Sequence, residues 1–360
     1  MINFSKERFD EIRYNYNQWW NHKIDRPIAG LVVEERYLNG LEPIAPLLTQ
    51  ANCTDLTYSP EQIADRIVYE MSKNEYYGDA FPFFNMSCFG PGIVAAFLGA
   101  CIDNSTGNVW FHPEEKKHIS ELSFKYDPQN KWLLRIKAIC AALVDRFEDK
   151  ALVGMVDLGG VMDILSTFRP SDQLLLDLYD EPYEVKRLCW EIHELWLSFH
   201  NELNSIIGKN GYTDWSGILS DQTSYIIQSD FTYMISPDAF KEFVLDEVVK
   251  TCKCLNHSIW HLDGVGELPH LDMLLNINDL DGIQWVPGVG MPPCEEWLDI
   301  YSKIAQAGKL IQVYQEDFDA TIQIIEHIGL PGLIQNLTVY CKLNKKEEML
   351  SKMKRLNSSV

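Results

Sequence analysis

The part of the chain that decides the fold is residues 258–288, which read SIWHLDGVGELPHLDMLLNINDLDGIQWVPG. An apolar run ends on His261, Leu262 and Asp263 and then opens into glycines. A helical period with Pro269 near its start follows, and a second apolar run leads into a Pro-Gly turn. Strand, helix and strand in this order indicate a β/α unit of a parallel sheet.

The same alternation continues on both sides of this stretch. KLIQVYQED and GLIQNLTVY predict strands, whereas CEEWLDIYSKIAQAG, FDATIQIIEHIG and NKKEEMLSKMKRL predict helices. Upstream, KALVGMVDLGG predicts a strand, and helices are expected near 60–73, near 128–148 and on both sides of Pro182. Ser171 has the chemistry of an N-cap for the first helix of that last pair.

This pattern predicts a single (β/α)8 TIM barrel with extra N-terminal helices. No G-x-G-x-x-G loop follows a strand, so a dinucleotide-binding sheet lacks its phosphate loop. A barrel of this kind takes about 250 residues, which a chain of 360 residues exceeds. We therefore expect one domain over residues 1–360, in which residues 1–60 form a helical and extended elaboration.

Composition limits the partners and the compartment. The chain has 31 Lys and Arg against 52 Asp and Glu, a formal charge of −21, which disfavours binding to nucleic acids and anionic membranes. No apolar run reaches the roughly 18 residues of a membrane helix, the first residues lack a signal-peptide core, and nine scattered cysteines do not indicate a disulfide framework. We expect a soluble cytoplasmic protein with a small-molecule substrate; its oligomeric state stays open, with a homodimer as one option.

The polar ends of the predicted strands are the candidate active-site residues, because TIM-barrel chemistry lies at the carboxyl ends of the strands. His261 and Asp263 are two residues apart on a strand and share a face, so we predict a catalytic or metal-binding role for both. The alternative is a His–Asp hydrogen bond that only stabilises the strand end.

Four further residues are weaker candidates. Asp79 lies among aromatic residues and is either a proton-transfer group or a turn cap. Gln222 and Asp230 follow an apparent strand and are predicted to contact substrate. Trp285 is either an aromatic wall of the active site or a core residue.

HLDGVGELPHLDMLLNINDLDGIQWVPG, with the strand, helix and strand that follow it, resembles the uroporphyrinogen decarboxylase superfamily and in particular its corrinoid-linked methyltransferases. The resemblance extends from roughly residue 60 to the C-terminus, and members of that family are single (β/α)8 barrels. The methyltransferases bind zinc through His-x-Cys and a distant second Cys. Here the first element reads His261-Leu262-Asp263, and the second Cys falls at or near Cys341.

The resemblance thus implies zinc held by His261, Asp263 and Cys341, with the fourth position open to substrate. It implies methyl transfer between a corrinoid, presented by a partner protein, and a small thiol, methoxy or amine compound. The zinc would polarise the thiol or oxygen that gains or loses the methyl group.

The decarboxylase branch of the same family is the alternative. Arg36 in VVEERYL matches one of its two carboxylate-binding arginines, whereas Val32 stands at the other. Asp79 matches the aspartate that hydrogen-bonds pyrrole N–H groups, and the histidine of N-L-G-H-G is absent from NLTVYCK. A metal-free decarboxylase of a porphyrinogen-like substrate would use Arg36 and Asp79. A non-catalytic corrinoid-binding barrel is the third interpretation, although the D-x-H-x-x-G cobalamin motif is missing.

Overall fold

A computed structural model describes residues 2–34 and 41–358 as a mixed α/β fold. The helices of these ranges are α1 Lys6–Trp20, α2 Pro60–Met71, α3 Val94–Phe97, α4 Lys131–Phe147, α5 Val161–Phe168, α6 Ser171–Asp180, α7 Pro182–Ile207, α8 Pro237–Phe243, α9 Leu245–Cys254, α10 Leu271–Leu275, α11 Leu298–Gln306, α12 Asp319–Ile328 and α13 Lys346–Ser358. The strands are β1 Gly30–Glu34, β2 Glu75–Gly78, β3 Phe83–Phe84, β4 Cys101–Asp103, β5 Trp110–His112, β6 Leu152–Val153, β7 Ser224–Ile227, β8 His257–Asp263, β9 Gly282–Val286, β10 Leu310–Val313, β11 Ile334–Asn336 and β12 Val339–Lys342. None of these helices is long and apolar enough to cross a membrane.

The last third of the chain forms a five-stranded parallel sheet in the order β11-β10-β9-β8-β7. Helices α8 to α12 connect its successive strands, so the predicted alternation of strand and helix is confirmed here. The register places Gln284 of β9 opposite both His261 and Gln312, and Gln312 opposite Gln335. Side chains at these paired positions lie side by side on one face of the sheet.

Two local expectations were wrong. GLIQNLTVY is two strands, because the chain leaves the five-stranded sheet after Asn336 and β12 then pairs in parallel with β1. Ser171 is the first residue of α6 rather than its N-cap, because Pro170, with a fixed φ and no N–H group, takes the flanking position.

The remaining strands form smaller sheets beside the large one. β1 pairs with β12 in parallel and with β2 in antiparallel orientation, β3 pairs with β6 in parallel, and β4 pairs with β5. Ile28, just before β1, donates its N–H to Ile334 and accepts the N–H of Asn336, both at 2.9 Å. The segment that leads into β1 therefore lies beside β11, the outer strand of the large sheet.

The amino-terminal helix covers the amino ends of the strands. Its residues Tyr16, Trp19 and Trp20 are buried in one cluster with apolar residues of four strands, namely Leu152, Ile226, Ile259 and Leu310. The ring of Trp20 stacks on His257, the first residue of β8, with centroids 4.3 Å apart. A second, larger core lies on the other face of the strands, against the helices. Because α1 covers one end, the carboxyl ends of the strands remain the accessible end.

Candidate functional site

A cavity of about 450 Å³ lies at the carboxyl ends of the parallel strands. Asp157 follows β6, Asp230 follows β7, and His261 and Asp263 end β8. Other side chains that line the cavity include Asn85, Trp215, Gln228 and Tyr314. Three of the residues that the sequence predicts for the site, Asp230, His261 and Asp263, therefore lie in one cavity together with Asp157, and we call it the acidic cavity.

The glycines after Asp263 allow β8 to end sharply at this cavity. Gly264 has a φ of +83°, in the left-handed region that favours glycine. A Cβ atom on Gly264 would lie 2.8 Å from the ring of Tyr233, and one on Gly266 would lie 2.6 Å from it. The two glycines thus permit the turn and the close approach of Tyr233, and the turn leaves His261 and Asp263 at the rim.

Asp230, His261 and Asp263 form a group that could hold a metal ion. Each offers one ligand atom, and the three atoms lie within 4.8 Å of one another. Nε2 of His261 and Oδ2 of Asp263 are 3.9 Å apart. Ligands of a tetrahedral zinc ion are about 3.4 Å from one another, so small side-chain rotations would bring these atoms to bonding distance. One imidazole nitrogen and two carboxylate oxygens fit zinc and other divalent first-row cations.

The loop that carries Asp230 is held by Asp163 of α5. The carboxylate of Asp163 accepts the N–H groups of Asp230, at 3.1 Å, and of Phe231, at 2.7 Å. Loss of hydration, followed by the negative charge of Asp230, raises the pKa of Asp163 to about 7. Loss of hydration also raises the pKa of Asp230, with Asp263 adding to the effect and His261 opposing it. Closely spaced carboxylates of this kind favour a bound cation.

Asp157 is a further ionisable group of the acidic cavity. It is buried, and its carboxylate accepts the N–H of Gly159 at 3.0 Å and a side-chain N–H of Gln228 at 3.1 Å. Burial raises the pKa of Asp157 to about 7. A carboxyl group with such a pKa can release and accept protons near neutral pH.

Three glutamines that the sequence did not single out stand behind His261, and we call Gln284, Gln312 and Gln335 the glutamine row. Nδ1 of His261 is hydrogen-bonded to Oε1 of Gln284, and Nε2 of Gln284 to Oε1 of Gln312. Nε2 of Gln312 donates to Oε1 of Gln335 at 2.7 Å. The row is at most 1% exposed. The sequence contains one indication of this row: in each of three apolar strands, GIQWV, LIQV and LIQN, one glutamine follows an isoleucine.

A second cavity, of about 420 Å³, adjoins the acidic cavity. The two share Asn85, Trp215 and Tyr314. We call the second cavity the aromatic chamber because five aromatic residues line it together with Glu316, namely Phe83, Phe84, Trp215, Tyr314 and Tyr340. The ring of Trp215 packs edge-on against His261, with centroids 5.0 Å apart. Within the described residues, neither cavity is lined by Lys or Arg.

Cys341 lies apart from the group formed by Asp230, His261 and Asp263. Tyr340 lines the aromatic chamber, and adjacent residues of a strand point to opposite faces, so Cys341 points away from it. Burial and the charge of Glu34 raise the pKa of the Cys341 thiol. The zinc-binding role of Cys341 stays a prediction, and the geometry offers Asp230 as the third ligand instead.

Asp79 lies near the amino ends of the strands. Its carboxylate pairs with Arg26 at 2.6 and 2.9 Å and accepts an N–H from Asn15 of α1 at 2.9 Å. The backbone N–H of Ala29 also donates to it, at 3.1 Å. Asp79 is therefore occupied by protein partners, and its catalytic role stays a prediction.

The other predicted substrate residues are also separate from the acidic cavity or outside the described residues. Gln222 is exposed and precedes β7, at the strand end opposite Asp230. Trp285 is fully buried and packs edge-on against Trp297, with centroids 5.4 Å apart, which agrees with the core alternative. Arg36 lies outside the described residues.

Comparison with known proteins identifies a shared fold. No protein-family profile matches the chain, and no curated protein matches its sequence. A methyltransferase from Methanosarcina mazei matches the structure with a TM-score of 0.57, over 96% of this chain and 98% of that chain. The two sequences are 10% identical. A likeness at this identity concerns the fold alone.

Proposed function

We propose that this chain is a metal-dependent methyltransferase whose metal binds between Asp230, His261 and Asp263. The observation that carries the proposal is the convergence of three ligand atoms within 4.8 Å at the carboxyl ends of parallel strands. That end of parallel strands is where α/β proteins bind ligands and perform chemistry. The reaction class is suggested by the methyltransferase that shares the fold.

The proposal includes closure of the strands into a single (β/α)8 barrel. Closure is supported at the edge of the large sheet, where the bridge between Ile28 and Gln335 joins β11 to the start of β1. It is supported on the other side by the pairing of β3 with β6 and by the bond from the N–H of Met155 to the carbonyl of Thr213, at 2.8 Å. The cluster of apolar side chains from β6, β7, β8 and β10 would then be the interior of the barrel.

Zinc is the first cation to consider, held by Nε2 of His261 and one oxygen each of Asp230 and Asp263. When bound, it would supply the positive charge that makes a thiol more acidic, so that the nucleophilic thiolate forms, or that makes an ether oxygen a better leaving group. Side chains of the protein would transfer the proton and orient the substrate. Asp157 would take up or release the proton of the substrate, and Trp215 and Tyr314 would orient it between the two cavities.

The substrate is expected to be small and either neutral or cationic. The acidic cavity contains three carboxyl groups, and the aromatic chamber adds that of Glu316. Thiol, methoxy and amine compounds all meet this condition, and the aromatic walls favour methylated ammonium groups among them.

The methyl carrier is proposed to be a corrinoid on a partner protein. Exposed apolar side chains on the loops after β7 and β9 could contact it, namely Tyr233, Met234, Val289 and Met291.

A methyl-transfer assay tests the function. The zinc-loaded protein is supplied with methylcobalamin and a series of thiols, and separately with cob(I)alamin and methoxy or methylamine compounds. The proposal expects zinc-dependent turnover that falls to the buffer level in Asp230→Asn and His261→Gln variants. Turnover that is unchanged in both variants, or absent with every compound, would contradict it.

The decarboxylase alternative has less support. Uroporphyrinogen carries many carboxylates, whereas the acidic cavity offers Asp157, Asp230 and Asp263 and, within the described residues, no Lys or Arg. Like charges placed together are costly. Conversion of uroporphyrinogen to coproporphyrinogen by the metal-free protein would nevertheless favour decarboxylation.

A further inference from the structure

We infer that the glutamine row holds His261 as the tautomer with its proton on Nδ1, which leaves the lone pair of Nε2 free beside Asp263. The row would then be a set of positioning residues that act on the site through His261. Its use in metal binding rests on the proposed function, whereas the tautomer itself does not.

The direction of the row is set by backbone carbonyls, which can only accept hydrogen bonds. Nε2 of Gln335 donates to the carbonyl of Asn336 at 2.7 Å, so Oε1 of Gln335 is left to accept. Nε2 of Gln312 donates to that oxygen at 2.7 Å and to the carbonyl of Ser216 at 2.9 Å. Two hydrogen bonds therefore fix the orientation of the Gln312 amide.

The orientation of the Gln312 amide in turn determines the orientation of the Gln284 amide and the proton position on His261. Because Oε1 of Gln312 is the atom that faces Gln284, the Gln284 amide must present its N–H group there. Oε1 of Gln284 is then the atom that faces His261. A carbonyl oxygen only accepts, so Nδ1 of His261 must be the donor.

Burial makes the reverse arrangement costly. The side chains of Gln284, Gln312 and Gln335 are at most 1% exposed, so water cannot replace a lost partner. Reversal of one amide would place two donors or two acceptors face to face in a buried position. The ring of Trp215, 5.0 Å from that of His261, also restrains rotation of the imidazole.

Such a bond matters for metal binding because the hydrogen bond on one ring nitrogen sets the proton and the direction of the other. Loss of a comparable partner lowers metal affinity about 10- to 100-fold. In this chain the supporting bonds continue over three adjacent strands, so even Gln312, which does not touch His261, is expected to affect it.

The tautomer can be measured directly by NMR on the full-length chain labelled with 15N-histidine, treated with chelator and kept at about pH 8, above the usual His pKa. The difference spectrum against His261→Gln identifies the two nitrogens. We expect a protonated, pyrrole-type Nδ1 and a pyridine-type Nε2. A protonated Nε2 in the wild-type protein would overturn the inference, whether or not any variant folds.

Variants test the role of the row. In Gln284→Met and Gln312→Met we expect a mixture of tautomers and a dissociation constant for zinc raised about 10- to 100-fold. Thr251→Val is the matched control, because Thr251 is buried and the substitution removes its hydrogen bond of 2.8 Å to the partly buried Glu247, elsewhere in the fold; we expect it to change neither quantity. An unchanged tautomer in folded Gln284→Met would contradict the inference.

The two proposals fail separately. A wild-type protein with the proton on Nδ1 that binds no zinc would keep the tautomer assignment and remove the metal-dependent function. Zinc binding by a protein with the proton on Nε2 would keep the metal-dependent function and remove the tautomer assignment.

Discussion

Nε2 of His261 and Oδ2 of Asp263 lie 3.9 Å apart on one face of β8. Asp230 approaches the same place from the loop after β7, and the three ligand atoms are mutually within 4.8 Å. Two carboxylates so close together repel each other unless a cation or a proton lies between them. The arrangement therefore predicts that binding of a cation stabilises the folded protein.

Zinc is expected to raise the thermal unfolding midpoint. A ligand that binds only the folded state contributes about 2.7 kcal/mol when its free concentration is 100 times the dissociation constant. We expect this shift in the wild type and in Cys341→Ser, and none in the Asp230→Asn/Asp263→Asn double variant. Scanning calorimetry with and without zinc measures it, and an equal shift in the double variant would place the binding site elsewhere.

Asp157 is expected to control the pH dependence of the reaction. Burial raises its pKa to about 7, so the carboxylate that accepts a proton becomes available as the pH rises through that value. With a thiol substrate, kcat/KM should rise over this range, and Asp157→Asn should lower it about 100-fold, as loss of a general base does. The pH–rate profiles of both proteins provide the test. A wild-type rate that is flat between pH 6 and 8 would argue against this role.

Glu267→Gln is expected to stabilise the protein at neutral pH. Glu267 is 1% exposed, and burial raises its pKa from 4.5 to about 9. Between these values the unfolded chain has released the proton while the folded protein retains it, so the stability of the wild type decreases as the pH rises. At pH 7 the substitution should add about 3 kcal/mol, and at pH 4.5 very little. Urea unfolding at both pH values measures the difference; an equal effect at both would refute the account of Glu267.

Asp79→Asn is expected to destabilise the fold. The variant leaves Arg26 without its partner and weakens the bonds to Asn15 and Ala29. Because the carboxylate of Asp79 is buried but Arg26 is partly exposed, the substitution should cost about 2 kcal/mol, whereas the exposed control Asp10→Asn should cost below about 0.5 kcal/mol. Denaturant unfolding compares the two. An Asp79→Asn protein as stable as the wild type would show that these bonds do not stabilise the fold.

Much of the architecture could be predicted because its signals are local. Alternating strand and helix patterns in the last third predicted parallel strands, and the structure has them. The spacing of His261 and Asp263 predicted a shared face, because two residues along a strand always point the same way. Gln284 and Trp285 are adjacent in GIQWV, so the same rule indicates that their side chains point to opposite faces of the strand.

The other features of the site depend on contacts between distant segments. Asp230 joins His261 because Asp163 of α5 holds its loop, which no local pattern encodes. The direction of Cys341 depends on the register between β12 and β1, and a shift of one residue would reverse it. The glutamine row depends on the register of three strands, which places Gln284, Gln312 and Gln335 side by side. No single strand sequence contains that register.

Metal content is the most direct test of the central claim. The measurement uses protein purified without a histidine tag, loaded with zinc, passed through a desalting column and analysed by mass spectrometry. We predict about one zinc ion per chain, the content expected for a single site with three protein ligands, in the wild type and in Cys341→Ala. We predict loss of the ion in Asp230→Ala and His261→Ala. A wild type without zinc, or zinc that is lost in Cys341→Ala and retained in Asp230→Ala, would contradict the account.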